Sequence, residues 1–120
     1  LMIHGLYDNY ERQLLKEKVQ ERVDNIVQNR HISSKEVTRL QAAFNFLTHR
    51  RELFLGPVSL SFALEQGGYE LSSSQFDSIW RAYSKLYKDR MDFSEFLELY
   101  LDLREFAGDD RLATDHEARR

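Results

Sequence analysis

Two stretches of this chain follow one pattern. Ile32-Ser33-Ser34-Lys35-Glu36-Val37 and Leu71-Ser72-Ser73-Ser74-Gln75-Phe76 both run apolar, Ser, two spacers, Glu or Gln, apolar, and they start 39 positions apart. In each, the Ser side chain can accept from the backbone N–H three residues on. The Glu or Gln can reach back to the Ser N–H, and the flanking apolar pair can pack across the entry. Two identical helix starts at that spacing predict two copies of one helical unit.

The rest of the chain allows this. One Pro and five Gly in 120 residues favour helices over a many-turned β architecture. Hydrophobic residues make up 42 %, with eight Phe, six Tyr and one Trp, enough for the core of one compact domain. Net charge is −3 with both signs mixed, which leaves no electrostatic footprint for nucleic acid. Cysteine is absent, so disulfides, thiolate metal sites and cysteine nucleophiles are excluded, and a cytoplasmic setting is expected. No apolar run approaches the roughly 20 residues of a membrane span, and no basic-then-apolar signal segment is present. The chain opens on Leu, so a fragment of a longer protein is an open reading.

Along the chain, residues 1–31 read as an amphipathic helical arm, 32–106 as a paired domain and 107–120 as a charged tail expected to be disordered. The first helix, from about Leu6 to Arg30, places Leu6, Tyr10, Leu14, Val19, Val23, Ile26 and Val27 at helical intervals. It leaves Glu11, Arg12, Lys16, Glu17, Glu21 and Arg22 to solvent. The second starts at Ser33 and carries Val37, Leu40, Phe44 and Leu47 before a polar stretch, Thr48 to Glu52. The third follows Pro57, turns Leu60, Ala63 and Leu64 inward and stops at Gly67-Gly68. The fourth starts at Ser72 with Phe76, Ile79, Trp80 and Tyr83. The fifth runs from about Phe93 to Phe106 with Phe96, Leu97, Tyr100, Leu101 and Leu103.

Helix, twelve-residue loop, helix, twice over, resembles a paired EF-hand lobe. Met91-Asp92-Phe93-Ser94-Glu95-Phe96-Leu97 looks like the end of an EF-hand loop entering its exit helix, with Glu95 at position twelve and Ser84 at position one. The stretch from Ala63 to Ser72 is similar to the linker between calmodulin's hands, which sets the first loop at Thr48 to Ser59. Tyr83-Ser84, Met91-Asp92-Phe93 and Leu101-Asp102-Leu103 also look like later hands of the penta-EF-hand proteins. The resemblance covers about Ile32 to Leu103. It implies an all-α, calmodulin-like lobe, and that Leu55 and Met91, at position eight of each loop, pair as a short antiparallel bridge.

Calcium is where the sequence departs from that family. A working loop needs oxygens at positions one, three, five, nine and twelve, a backbone carbonyl at seven and Gly at six. The first loop offers Thr48, Arg50, Glu52, Phe54, Gly56 and Ser59 at the six ligand positions, with Leu53 for Gly and a formal charge of +1. The second keeps Asp92 and Glu95, but Ser84, Leu86 and Lys88 fill one, three and five, Asp89 stands at six, and the net charge is zero. No binding tighter than about millimolar is expected. No cofactor is expected, and any metal response is assigned to Asp92 and Glu95.

The resemblance further implies a groove that takes an amphipathic helix of a partner protein. Phe44, Leu47, Phe62, Phe76, Ile79, Trp80, Phe96 and Tyr100 are the residues placed to line it or lie beneath it. His4, His31, His49 and His116 have no second His at metal-ligand spacing, and the serines have no positioned base, so no enzyme is expected. The expected function is a calcium-independent, light-chain-like or scaffold module, possible associations being cytoskeletal. The alternatives are a weak calcium sensor through the second loop, or a regulatory or dimerising part of a larger enzyme or cytoskeletal complex, for which self-association is an open expectation. The first helix is expected to dock on the lobe rather than form a coiled coil.

Overall fold

The computed structural model describes the backbone of residues 2–49 and 52–118 and the side chains of residues 9–49 and 52–105. Arg50, Arg51 and the side chains of Leu6, His4, Phe106 and His116 lie outside the described residues. Five helices occur among the described residues: α1 (Met2–Arg30), α2 (Ser34–Leu47), α3 (Pro57–Gln66), α4 (Ser73–Tyr83) and α5 (Phe93–Ala118). The chain is therefore all-α. No helix among the described residues is long and apolar enough to cross a membrane.

The helix boundaries follow from local chemistry. Ser72 caps α4 with the full reciprocal pair: its hydroxyl accepts from Gln75 N at 3.2 Å, and Ser72 N donates to Gln75 Oε1 at 2.8 Å. Ser33 makes only half of it, accepting from Glu36 N at 3.2 Å, because the Glu36 carboxylate turns to Arg39 and Arg104. Pro57 opens α3, where its missing N–H costs nothing. At the other end of α3, Tyr69 N donates to Leu64 O and Gly68 N to Glu65 O, both at 3.0 Å. That double bond pattern needs a left-handed residue, which Gly68 supplies at φ 90°.

Between the two helix pairs, Leu55 and Met91 form an isolated antiparallel bridge, with Leu55 N–Met91 O at 2.8 Å and Met91 N–Leu55 O at 2.9 Å. Both side chains are buried. The core continues on either side: the Phe44 ring lies 5.5 Å from both Phe93 and Phe96, and Leu40, Leu60, Leu64, Trp80, Leu97 and Leu101 close around them.

The first half of α5 is the centre of the fold. Every residue from Met91 to Leu97 is buried, and so are Leu99 and Leu101. α2 and α4 pack against it, and α1 lies along it from outside the helix pairs. The seam that α1 supplies is Val23 and Ile26, buried, with Val19 and Val27 packed beside them.

Three expectations are corrected here. Tyr10 and Leu14 do not belong to the seam: they are 64 % and 38 % exposed, because their helical phase turns them away from Val19, Val23 and Ile26. Arg22, assigned to solvent, points inward and is half-buried. The helix of α5 runs to Ala118, beyond Phe106, since Gly108 is a single weak break in a sequence otherwise compatible with helix.

Candidate functional site

The loop from Ser84 to Glu95 joins α4 to α5 and carries the two carboxylates singled out from sequence. Asp92 stands just before α5, and its side chain is fully buried. Its Oδ1 accepts from Glu95 N at 3.2 Å, and Asp92 N donates to Glu95 Oε1 at 3.1 Å. The pair is a reciprocal helix cap with the same three-residue spacing as the Ser33 and Ser72 starts. The second Glu95 oxygen accepts from Leu86 N at 3.2 Å and so ties the loop back on itself.

A cation reaches Asp92 from an unexpected direction. Arg22, on α1, places Nη2 2.5 Å from Asp92 Oδ2 and donates from Nε to Ser94 Oγ at 3.2 Å. Ser94 Oγ in turn donates to Asp92 Oδ1. Every Asp92 oxygen is thereby satisfied by the chain itself. Burial works against the Arg22 charge, but the hydrogen bond and field of Asp92 outweigh it and raise the guanidinium's pKa above its ordinary value. For Glu95, burial is the leading cause and raises the carboxyl pKa. The N–H groups of Asp92 and Leu86 pull it down, and the Asp92 charge pushes it up further.

The loop's remaining ligand places are turned to other contacts or to solvent. Ser84 Oγ, at the first ligand place, donates back to Trp80 O within α4. Leu86 projects outward, 52 % exposed. The left-handed turn falls at Lys88, φ 65°, rather than at Asp89, the position where the sequence lacks its Gly. Trp80 Nε1 holds that turn by donating to Lys88 O at 2.7 Å. Among the described residues no three His, Cys, Asp or Glu side chains form a group able to hold a metal, and no buried side-chain polar atom lacks a partner.

Two more charged anchors bind helices to α5. Arg30, at the end of α1, pairs with Asp102 at 2.7 Å and Glu105 at 2.9 Å. The hydroxyl of Tyr83 donates to the other oxygen of Asp102 at 2.6 Å. Burial, then the Asp102 hydrogen bond, pushes the Tyr83 phenol up to about 12. From α2, Glu36 meets Arg104.

The eight residues expected to line a groove or lie beneath it differ in depth. Phe44, Trp80 and Phe96 are core. Leu47, Phe76 and Ile79 are half-buried against it, while Phe62 and Tyr100 are 53 % and 39 % exposed. The most exposed large apolar residues are others: Val58 at 83 % and Phe46 at 75 %. Phe46 was legible from phase, since it sits off the Leu40–Phe44–Leu47 stripe of α2. The Arg22 contact had no local signal.

No protein-family model fits the chain, and no curated protein matches it.

Proposed function

We propose that this chain is a degenerate EF-hand pair that works as an ion-independent protein-binding module and holds an amphipathic helix of a partner. The observation that carries the reading is the Arg22–Asp92 pair. At a loop position whose carboxylate would face a divalent ion in a working hand, the fixed positive charge comes from α1. A resident guanidinium needs no calcium pulse to arrive or leave, so the lobe has one state and its affinity is constitutive. The Leu55–Met91 bridge supports the pairing of two hands, and the Phe44–Phe93–Phe96 cluster supports a shared core. Exposed Phe46, Val58, Phe62 and Tyr100 supply apolar contact area outside that core.

The test uses an idealised amphipathic helical peptide, Leu on one face and mixed Lys and Glu on the other, titrated calorimetrically into the full chain. Equal affinity with chelator and with millimolar calcium is the expected result. Binding that requires calcium, or no binding in either condition, contradicts the reading.

A further inference from the structure

α1 carries two apolar rows on opposite sides. Val19, Val23, Ile26 and Val27 are buried in the core or packed against it. Tyr10 and Leu14, 64 % and 38 % exposed, lie about half a turn round the helix from them. In sequence their register extends back to Tyr7 and Ile3, and the helix is continuous from Met2. Successive spacings of four, three and four are those of a short a/d seam. The same register runs on to Glu17 and Glu21, both exposed, where carboxylates end the apolar row. On the other side of the helix, Glu11, Arg12 and Leu15 line a recess with Leu53, Phe54 and Arg90. The lobe therefore lies along one side of α1 and leaves the Tyr10–Leu14 side open.

A row of this length that ends in carboxylates fits a second copy of itself in one orientation. Parallel pairing would set Glu17 and Glu21 against the same two residues of the partner, like charges across a close seam. Antiparallel pairing about a two-fold between Asp8 and Asn9 sets Ile3 against the partner's Leu14 and Tyr7 against the partner's Tyr10. Glu17 then falls just beyond the start of the partner helix, where the dipole favours a carboxylate. The two lobes stand at opposite ends of the paired helices and on their outer sides, clear of each other.

We infer that the outward face of the first half of α1 is a self-association surface, which pairs antiparallel with the same face of a second copy in a two-fold dimer. Two Tyr, one Ile and one Leu supply roughly 400–600 Å² per copy, short of the roughly 800 Å² of a stable complex. The dimer is accordingly weak and exchanges with monomer. The pairing uses no surface of the lobe, so both states present the same lobe to a partner.

Sedimentation equilibrium of the full chain, from about ten micromolar to about one millimolar, is the test. The weight-average mass is expected to climb from one chain towards two. Leu14→Glu should weaken the dimer by about tenfold or more, with circular dichroism and Trp80 fluorescence unchanged, because Leu14 lies on the side of α1 away from the lobe. Phe46→Glu, on an exposed site of α2, should leave the association as it was. Orientation is read from Lys18→Cys carrying a nitroxide, a specific label because the chain has no other cysteine. Antiparallel pairing holds the two labelled backbones about 30 Å apart, and parallel pairing brings them within about 15 Å. A monomer at every concentration overturns the inference. So does association that ignores Leu14→Glu, association lost with Phe46→Glu, or a label distance of the parallel kind.

Discussion

Replacing Arg22 by Ala tests whether α1 is an integral brace or a passenger. Asp92 is fully buried, and Arg22 keeps 33 % of its side-chain surface in water. Breaking a buried pair from one side costs about 3–5 kcal/mol. Here the partial exposure of Arg22 lets water approach, and Asp92 keeps the Ser94 hydroxyl and the Glu95 N–H, so about 2–3 kcal/mol remains. For a chain of this size that is a fall in Tm of about 10 °C. Urea unfolding followed by circular dichroism and by Trp80 fluorescence reads the loss. Trp80 is well placed, because its indole is bonded to the Lys88 carbonyl of the same loop. Lys18→Ala, an exposed change on the same helix, should stay within about 0.5 kcal/mol. The cycle through Arg22→Ala, Asp92→Ala and the double variant isolates the pair, with an expected coupling of about 2 kcal/mol. Coupling below about 0.5 kcal/mol, the level at which independent sites add, would refute the reasoning.

Three further outcomes follow from the same geometry. Tyr83→Phe should cost about 1–2 kcal/mol by removing a bond to a carboxylate. Because the folded phenol is raised from 10.0 to about 12, the stability it adds is complete below pH 10 and is lost as pH climbs through 12, and the variant should lack that loss in alkaline melts. Glu95 is also raised, so its linked stability is complete below the ordinary carboxyl value of 4.5 and drains away as pH rises through the folded value. Glu95→Gln should therefore gain on the parent chain as pH rises above that range, and a pH-independent difference between the two in urea melts would count against the assignment. Phe44→Ala, at the centre of the ring cluster, should cost about 3–5 kcal/mol by denaturant unfolding, and a loss under 1 would deny Phe44 its central place.

What could be read from the chain was local. Ser33 and Ser72 begin helices because a cap involves residues three apart, and Gly68 ends one because only its φ fits; neither needs the rest of the fold. The Asp92–Glu95 cap obeys the same spacing, although a loop position and a cap position attract the same side chains. What escaped was set by tertiary contact. The helical phase of α1 allows either a Tyr10–Leu14 or a Val23–Ile26 stripe to face the lobe, and only packing on α5 chooses. Arg22 looked solvent-bound because the carboxylate that draws it inward lies 70 residues further on. Which of the eight groove candidates would be core stays open in the sequence for the same reason. Phe44, Trp80 and Phe62 have similar side-chain character, and their burial depends on which helices come to meet them.

A calcium titration of the isotopically labelled full chain, followed at the amides of Leu86, Asp92 and Glu95, tests the central claim most directly. The account predicts a well-folded spectrum in chelator and no saturable shift at those amides up to millimolar calcium, because Arg22 and the chain's own N–H groups already fill the oxygens. Saturable shifts there at micromolar calcium would contradict it, and would show that the ion displaces the arginine.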